Sequence, residues 1–355
     1  MNGLGQQEIW QRLLRLESHD TVKVWFEHIH ARKLSARRAG EISAVARQAR
    51  EYFRNAEAAD YSVRPLSTFY GIACLSRALL LLMKRSGGEE SLTVGHGLET
   101  AGWRNVMKGS IAEDLKKLGD LKIRTKDGLF TDFLIHTRNA ALLHNGSSAV
   151  TGYCKFEEPN PGAVISLQDL FTRTPDLRSD DASLAARQYA YVSDFSYGAD
   201  KVLKITLSGA EGPAIASVYG KLGYDVGGDG NSGSIRCESD TVLRDEPPMF
   251  VHAYMHNVMR PIPIPDLYLA MPFPGSIRLS QLCITYVISY ALGILVRYYP
   301  TQWIALINGG KGDLLWPTIN RAQQYVESTF PELVAEYISY VADKPAWVAK
   351  YQPKV

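Results

Sequence analysis

A chain of 355 residues that is 46% hydrophobic and 21% charged has the make-up of a folded globular protein, long enough to bury a large core without disulfide staples. Its balance of 39 basic against 37 acidic residues, a net +2, excludes a generally polyanion-binding surface, so any phosphate must be met by a local patch. Four widely spaced cysteines without a CxxC pairing point to neither a disulfide framework nor a zinc knuckle, so no metal or cofactor is expected and a reducing cytoplasm is the expected compartment.

The N-terminal MNGLGQQEIWQRLLRLES has no apolar core followed by small residues and does not read as a signal peptide. EIWQRLLRL and TVKVWFEHIHAR place apolar residues at three-and-four spacing, which predicts helices, with Asp20 as the N-cap of the second. A long alanine-rich helix follows over AGEISAVARQAREYFRNAEAA. Then RPLSTFYGIACLSRALLLLMKRSGG starts with Pro65 in a first turn and stops at Ser86-Gly87-Gly88. Apolar nearly all round, it belongs at the centre of a bundle, where Arg77 needs a partner or a polar groove. Residues 87–128 read as irregular apart from the helical IAEDLKKLGDL. GLFTDFLIHTRNAALLH resumes the helical pattern and ends at Asn145-Gly146.

Beyond residue 148 glycine and proline rise and alternation appears in KVLKITLSG and AIASVYGKLGYDV, which predicts antiparallel strands, with LQDLF and SLAARQYAYVSDF as local helices. PPMFVHAYMHNVMRPIPIPD is fenced by prolines and reads as extended. Helices return from 276. LSQLCITYVISYALGILV, residues 279–296, reaches the lower length limit for crossing a bilayer, but its serines, threonine, glutamine and tyrosines favour a helix buried in protein, so no membrane partner is expected. The expected fold is mainly α with a β-rich insertion (α+β): a helical bundle over 1–147, a β-rich middle over 148–275, and helices over 276–355 packed back on the bundle.

SVRPLSTFYGIACLSRALLLL, GHGL at 95–98, GLFTDFL, and ISYALGILVRYYPTQWIAL together resemble the YaaC-like family of bacterial proteins, over most of the chain. The resemblance implies a cytosolic protein with a helical core rather than a particular activity. A second resemblance, carried by Arg138, Asn139 and His144, is to the HEPN superfamily of small helical domains. Its ribonuclease members carry an arginine, four to six residues, then a histidine, and typically work as dimers with a composite site.

Cutting RNA without a metal needs a base for the 2′-hydroxyl proton and a cation for the phosphorane charge. In this reading His144 is the base, Arg138 the phosphate clamp and Asn139 an orienting partner, with RNA as substrate and a second copy or another protein as partner. On a continuous helix, however, six positions set Arg138 and His144 roughly 120° apart. His144 then falls with Phe130, Phe133, Leu134, Thr137, Ala140 and Ala141 on the core stripe, and the alternative is a structural role at a helix end. His136 is a second candidate base, read as an exposed surface histidine. The alternative for the whole chain is a non-catalytic scaffold or regulatory subunit that holds another protein.

Arg32, Lys33, Arg37, Arg38, Arg47, Arg50 and Arg54 cluster with only Glu41 and Glu51 in the same segment, either a solvated face or a phosphate site. Arg37 and Arg38, with Arg77 and the glycine-flanked His96, are the candidate substrate-binding residues; the alternative for His96 is a turn, the reading favoured here. Gly228 to Gly233 satisfies GxGxxG, but no helix follows, so it reads as a hairpin loop. His252 and His256 have the spacing of two helical metal ligands without helical context. No nucleophile elbow is present.

Overall fold

The computed structural model describes residues 3–177, 186–197, 202–229, 232–237, 247–255 and 264–343. The chain opens with α1 (Gly3–Leu13), α2 (His19–His30), α3 (Ala36–Ala58) and α4 (Arg64–Met83). Ser18, and not Asp20, caps α2: its hydroxyl accepts from the Thr21 N–H, while Asp20 sits in the first turn, where a carboxylate suits the helix dipole. Ser35 caps α3 in the same way through the Arg38 N–H. Pro65 occupies the first turn of α4, and Gly87 takes a left-handed turn just beyond its end.

The expected irregular stretch instead folds into a three-stranded antiparallel sheet. β1 (His96–Ala101) pairs with β2 (Lys122–Gly128), which pairs with a later strand; between β1 and β2 lie the short α5 (Trp103–Val106) and α6 (Ile111–Lys116). Next come α7 (Leu129–His136) and the two-stranded β3 (Ala140–Leu143) and β4 (Gly152–Lys155), then β5 (Val164–Ser166), the third strand of the first sheet, and α8 (Leu167–Arg173).

The rest of the middle is a six-stranded sheet whose neighbours all pair antiparallel. It holds β6 (Tyr189–Tyr197), β7 (Leu203–Ser208), β8 (Asp225–Asp229), β9 (Ser232–Cys237), β10 (Met249–Ala253) and β11 (Asp266–Ala270), in the order β10-β11-β6-β7-β9-β8. β8 and β9 form the hairpin that the glycine-rich stretch predicts. Two local expectations fail here. Tyr189–Tyr197 is a strand and not a helix, and α9 (Gly212–Gly220) is a helix where alternation predicted a strand. Pro213 suits its first turn, and Ile215, Ala216 and Tyr219 make a helical stripe that seals one face of the sheet over Leu203, Ile205, Leu207 and Ile235. The Tyr219 hydroxyl donates to Ala270 O and accepts from the Met249 N–H, both at 2.8 Å.

α10 (Gln281–Tyr298), α11 (Pro300–Ile307) and α12 (Trp316–Asp343) close the chain. α4 packs against α3, α10 and α12, the central position its apolar composition requires. The C-terminal helices pack back on the N-terminal ones through more than apolar surface. Arg64 grips Glu327 with two bonds, Nε to Oε1 at 2.8 Å and a terminal nitrogen to Oε2 at 2.6 Å, and Thr68 and Gln323 donate to the same carboxylate. By length and composition α4 and α10 could each span a membrane, but both are mostly buried within the protein. The fold is a mixed α+β arrangement with a helical N-terminal part.

Candidate functional site

Thr137, at the end of α7, returns its hydroxyl to Phe133 O at 2.7 Å, and the helix stops there. Arg138 (φ 58°) and Asn139 (φ 44°) both turn left-handed, and the chain then runs straight as β3. HTRNAALLHN is therefore not one helix, which corrects the sequence-based geometry. Asparagine tolerates the left-handed turn better than most residues, and tertiary bonds hold it there. Asn139, with 0% exposure, donates to Arg278 O at 2.8 Å and Glu157 O at 3.0 Å and accepts from the Ser280 N–H at 2.8 Å. It ties the α7–β3 corner to the start of α10, so its polar groups are all spent on backbone.

Asn139 and the four residues of β3 separate Arg138 from His144, putting their Cα atoms roughly 15–20 Å apart at ~3.3 Å per residue. Arg138 is half-buried near Tyr337 on α12. His144, 1% exposed, leaves β3 into a buried polar cluster between β10 and α12. Its Nε2 lies 3.1 Å from Glu336 Oε1 but off the hydrogen-bonding direction, so neither ring nitrogen makes a well-aligned bond. The Tyr254 hydroxyl donates to Glu336 Oε2 at 3.1 Å, and His252 Nε2 lies 3.2 Å from His144 O. Gln281 brackets His252 through its backbone N–H and carbonyl, and Asp176 accepts from the Met255 N–H at 2.6 Å.

Such burial tilts the titration of His252, Asp176, Tyr254 and Glu332 toward the neutral form. Burial, with His144 second, pulls His252 down to about 3. Burial likewise pushes Asp176 up to about 7 and, with Glu336 and Asp176 adding repulsion, Glu332 up to about 8. Chemically the cluster could hold and share protons, yet His144 and His252 meet no solvent. Among the described residues no group of three or more His, Cys, Asp or Glu is placed to hold a metal; His252 sits on a strand, and His256 lies outside the described residues. His136 is half-buried at the end of α7, and burial lowers its pKa.

The second concentration of charge is at the surface, where the α2–α3 turn meets the end of α4. A cleft of about 280 Å³ is lined there by Arg32, Lys33, Arg37, Arg38 and Arg85, together with Glu41 and Glu90. The two arginines expected to bind substrate have different jobs. Arg38, 7% exposed, donates to Leu81 O through Nε at 3.1 Å and through a terminal nitrogen at 2.6 Å, and to Lys84 O, so it satisfies the loose carbonyls at the end of α4. Arg37 is exposed and engages Glu41 at 2.8 Å and Glu90 at 3.2 Å, and these carboxylates raise its pKa. Arg32, Lys33 and Arg85 line the cleft and form no ion pair with a described residue. Arg85 went unnoticed in the sequence; the KRSGG ending of α4 was the available signal. The other half of the basic run is a solvated face, as Arg47 and Arg50 pair with Glu17 and Arg54 with Glu51.

Arg77 and His96 lie away from this cleft. Arg77 is half-buried on α4 with its Nε unbonded, near Tyr286, whose hydroxyl donates to His96 O at 3.4 Å. The His96 ring packs on Phe69, centroids 5.2 Å apart, and burial, then Arg297 and Lys126, lowers its pKa. Its glycine neighbour has a steric reason: a Cβ on Gly97, at φ 75°, would sit 2.5 Å from the Phe130 backbone nitrogen. The GHGL stretch is thus a close approach of β1 to the start of α7.

Residues 14–338 match the family described as YaaC-like Protein. No curated protein matches the chain, and no solved structure matches it.

Proposed function

This chain belongs to the YaaC-like family, and from that premise we propose that it is an RNA-handling protein that grips phosphate in the basic cleft of its helical part and does not cut at Arg138 and His144. The observation that carries the reading is the set of Arg32, Lys33 and Arg85, three cations converging on one concavity with no ion-pair partner among the described residues. Converging arginine and lysine side chains suit phosphate oxygens, and the nearly neutral remainder of the chain confines the attraction to this cleft.

The non-cleaving half of the proposal follows from the burial of His144 and the full engagement of Asn139. A base must reach the 2′-hydroxyl within hydrogen-bonding distance, and a ring packed under Glu336 and Tyr254 does not. We place the protein in the cytoplasm, where the thiols of Cys74, Cys154 and Cys283 stay free; burial raises them to about 11, 12 and 12 and makes them poor nucleophiles.

The test is fluorescence anisotropy of a labelled single-stranded RNA across a salt series, with the Arg32→Glu/Lys33→Glu/Arg85→Glu triple variant beside the unaltered protein. Three lost phosphate contacts should flatten the slope of log affinity against log salt by about 2. An unchanged slope would remove the cleft from the reading. The same RNA in EDTA is expected to stay intact; cleavage abolished by both Arg138→Ala and His144→Ala would replace the proposal with a metal-independent endoribonuclease.

A further inference from the structure

One face of the six-stranded sheet is sealed by α9. The opposite face carries a pocket of different chemistry from the basic cleft, about 260 Å³ in volume. Its walls are the rings of Tyr189, Tyr191 and Tyr268, and its rim includes Arg187, Ser208 and Glu211. Strand alternation puts them there: Ala190 and Val192 of β6 point into the α9 core, so Tyr189 and Tyr191 point the other way. Tyr191 stands opposite Tyr268 of β11 in the register, with ring centroids 5.6 Å apart, and Tyr189 meets Tyr268 edge-on at 5.5 Å. The three rings form a corner and not a closed stack. Tyr191 remains 43% exposed in it, so its ring is open to a ligand.

Charge decides what such a corner can hold. Arg187 and Glu211 give the pocket one cation and one carboxylate, so it is electrically balanced and offers little to a phosphate. Gly209, at φ 105°, turns the chain after β7 so that Glu211 lies over the backbone; a Cβ on Gly209 would be 3.5 Å from its Oε2. Flat aromatic walls with the Glu211 carboxylate and the Ser208 hydroxyl in the lining match a flat heteroaromatic ring with hydrogen-bonding edges. We infer that this pocket receives one unpaired nucleobase of RNA, stacked on Tyr191. The inference rests on the RNA-handling reading and adds to it a form of RNA: a base inside an A-form duplex has both faces covered by its neighbours, so only a single-stranded segment can present one.

The experiment measures binding of a fluorescein-labelled single-stranded 12-mer and of a hairpin duplex by the full-length protein, Tyr191→Ala and Tyr191→Phe, with adenosine titrated against intrinsic tyrosine fluorescence in parallel. Tyr191→Ala is expected to weaken single-strand binding by about tenfold or more, to leave duplex binding unchanged, and to abolish adenosine quenching, while Tyr191→Phe keeps all three near the original values. Single-strand binding that survives Tyr191→Ala unchanged overturns the inference and leaves the phosphate reading standing. Failure of the unaltered protein to bind either RNA sinks the phosphate reading, and adenosine then decides this one: quenching lost in Tyr191→Ala supports it, and no quenching overturns it.

Discussion

The basic cleft and the cluster around His144 hold comparable numbers of ionisable groups and use them in opposite ways. In the cleft Arg32, Lys33 and Arg85 face water and pair with no described residue, so removing them should cost the fold little. In the cluster His144, His252, Tyr254 and Asp176 are buried, and each is tied to backbone or to Glu336. The difference teaches that a residue type suited to catalysis marks a site only where a substrate can reach it: Asn139 is consumed by backbone bonds, and His144, whose ring nitrogens stay unbonded, is sealed inside the core.

The sharpest way to break the comparison is Asn139→Ala. Three backbone groups would lose their partner inside the core, and alanine would have to hold a left-handed φ, for a loss of about 3–5 kcal/mol in urea unfolding. A loss below about 1 kcal/mol would show that Asn139 is not the bracket described.

The next effect is a dependence on pH. Asp176 and Glu332 have folded pKa values raised to about 7 and about 8, so the unfolded chain releases their protons first and stability falls as pH rises from the ordinary carboxylate range through those values. His252 acts in the other direction: pulled down to about 3, it contributes fully above 6.5 and loses that contribution as pH falls toward 3. Between pH 6.5 and 8 the contribution of Asp176 and Glu332 should drop by about 2–3 kcal/mol, most visible as a falling urea midpoint. Asp176→Asn should flatten the part of that fall below pH 7.

The smallest effect belongs to the other region. Arg32→Ala, Lys33→Ala and Arg85→Ala should each shift stability by no more than about 0.5 kcal/mol. A larger shift in any of them would mean that the cleft cations, like those of the buried cluster, serve the fold.

Much of the helical architecture was legible in the sequence because its signals are local. Pro65 in a first turn, the nearly all-round apolarity of residues 66–82 and the polar-trimmed apolar run of α10 each predict an element and its depth. Where local signals compete, the sequence misleads. Ser18 took the cap from Asp20 two residues on, and the alternation in AIASVYG concealed the helical stripe Ile215, Ala216, Tyr219. Ala140 to Leu143 are fair helix formers, and their strand exists because β4 pairs with them and Asn139 turns the chain beforehand. The predicted burial of His144 proved correct although the helix used to derive it is absent. The cleft was half visible, since Arg37 and Arg38 lie in the basic run, but Arg85 arrives from the end of α4, some 50 residues away in sequence.

By itself the sequence determined the class of fold, the central helices, and the presence of a basic run, because propensity, periodicity and charge act over a few residues. The tertiary structure alone decided which charges remain available. Whether an arginine meets a glutamate, a helix end or open solvent depends on chain segments brought together only by packing. The fates of Arg38, Arg47 and Arg32 differ for that reason, although all three stand within one short basic stretch.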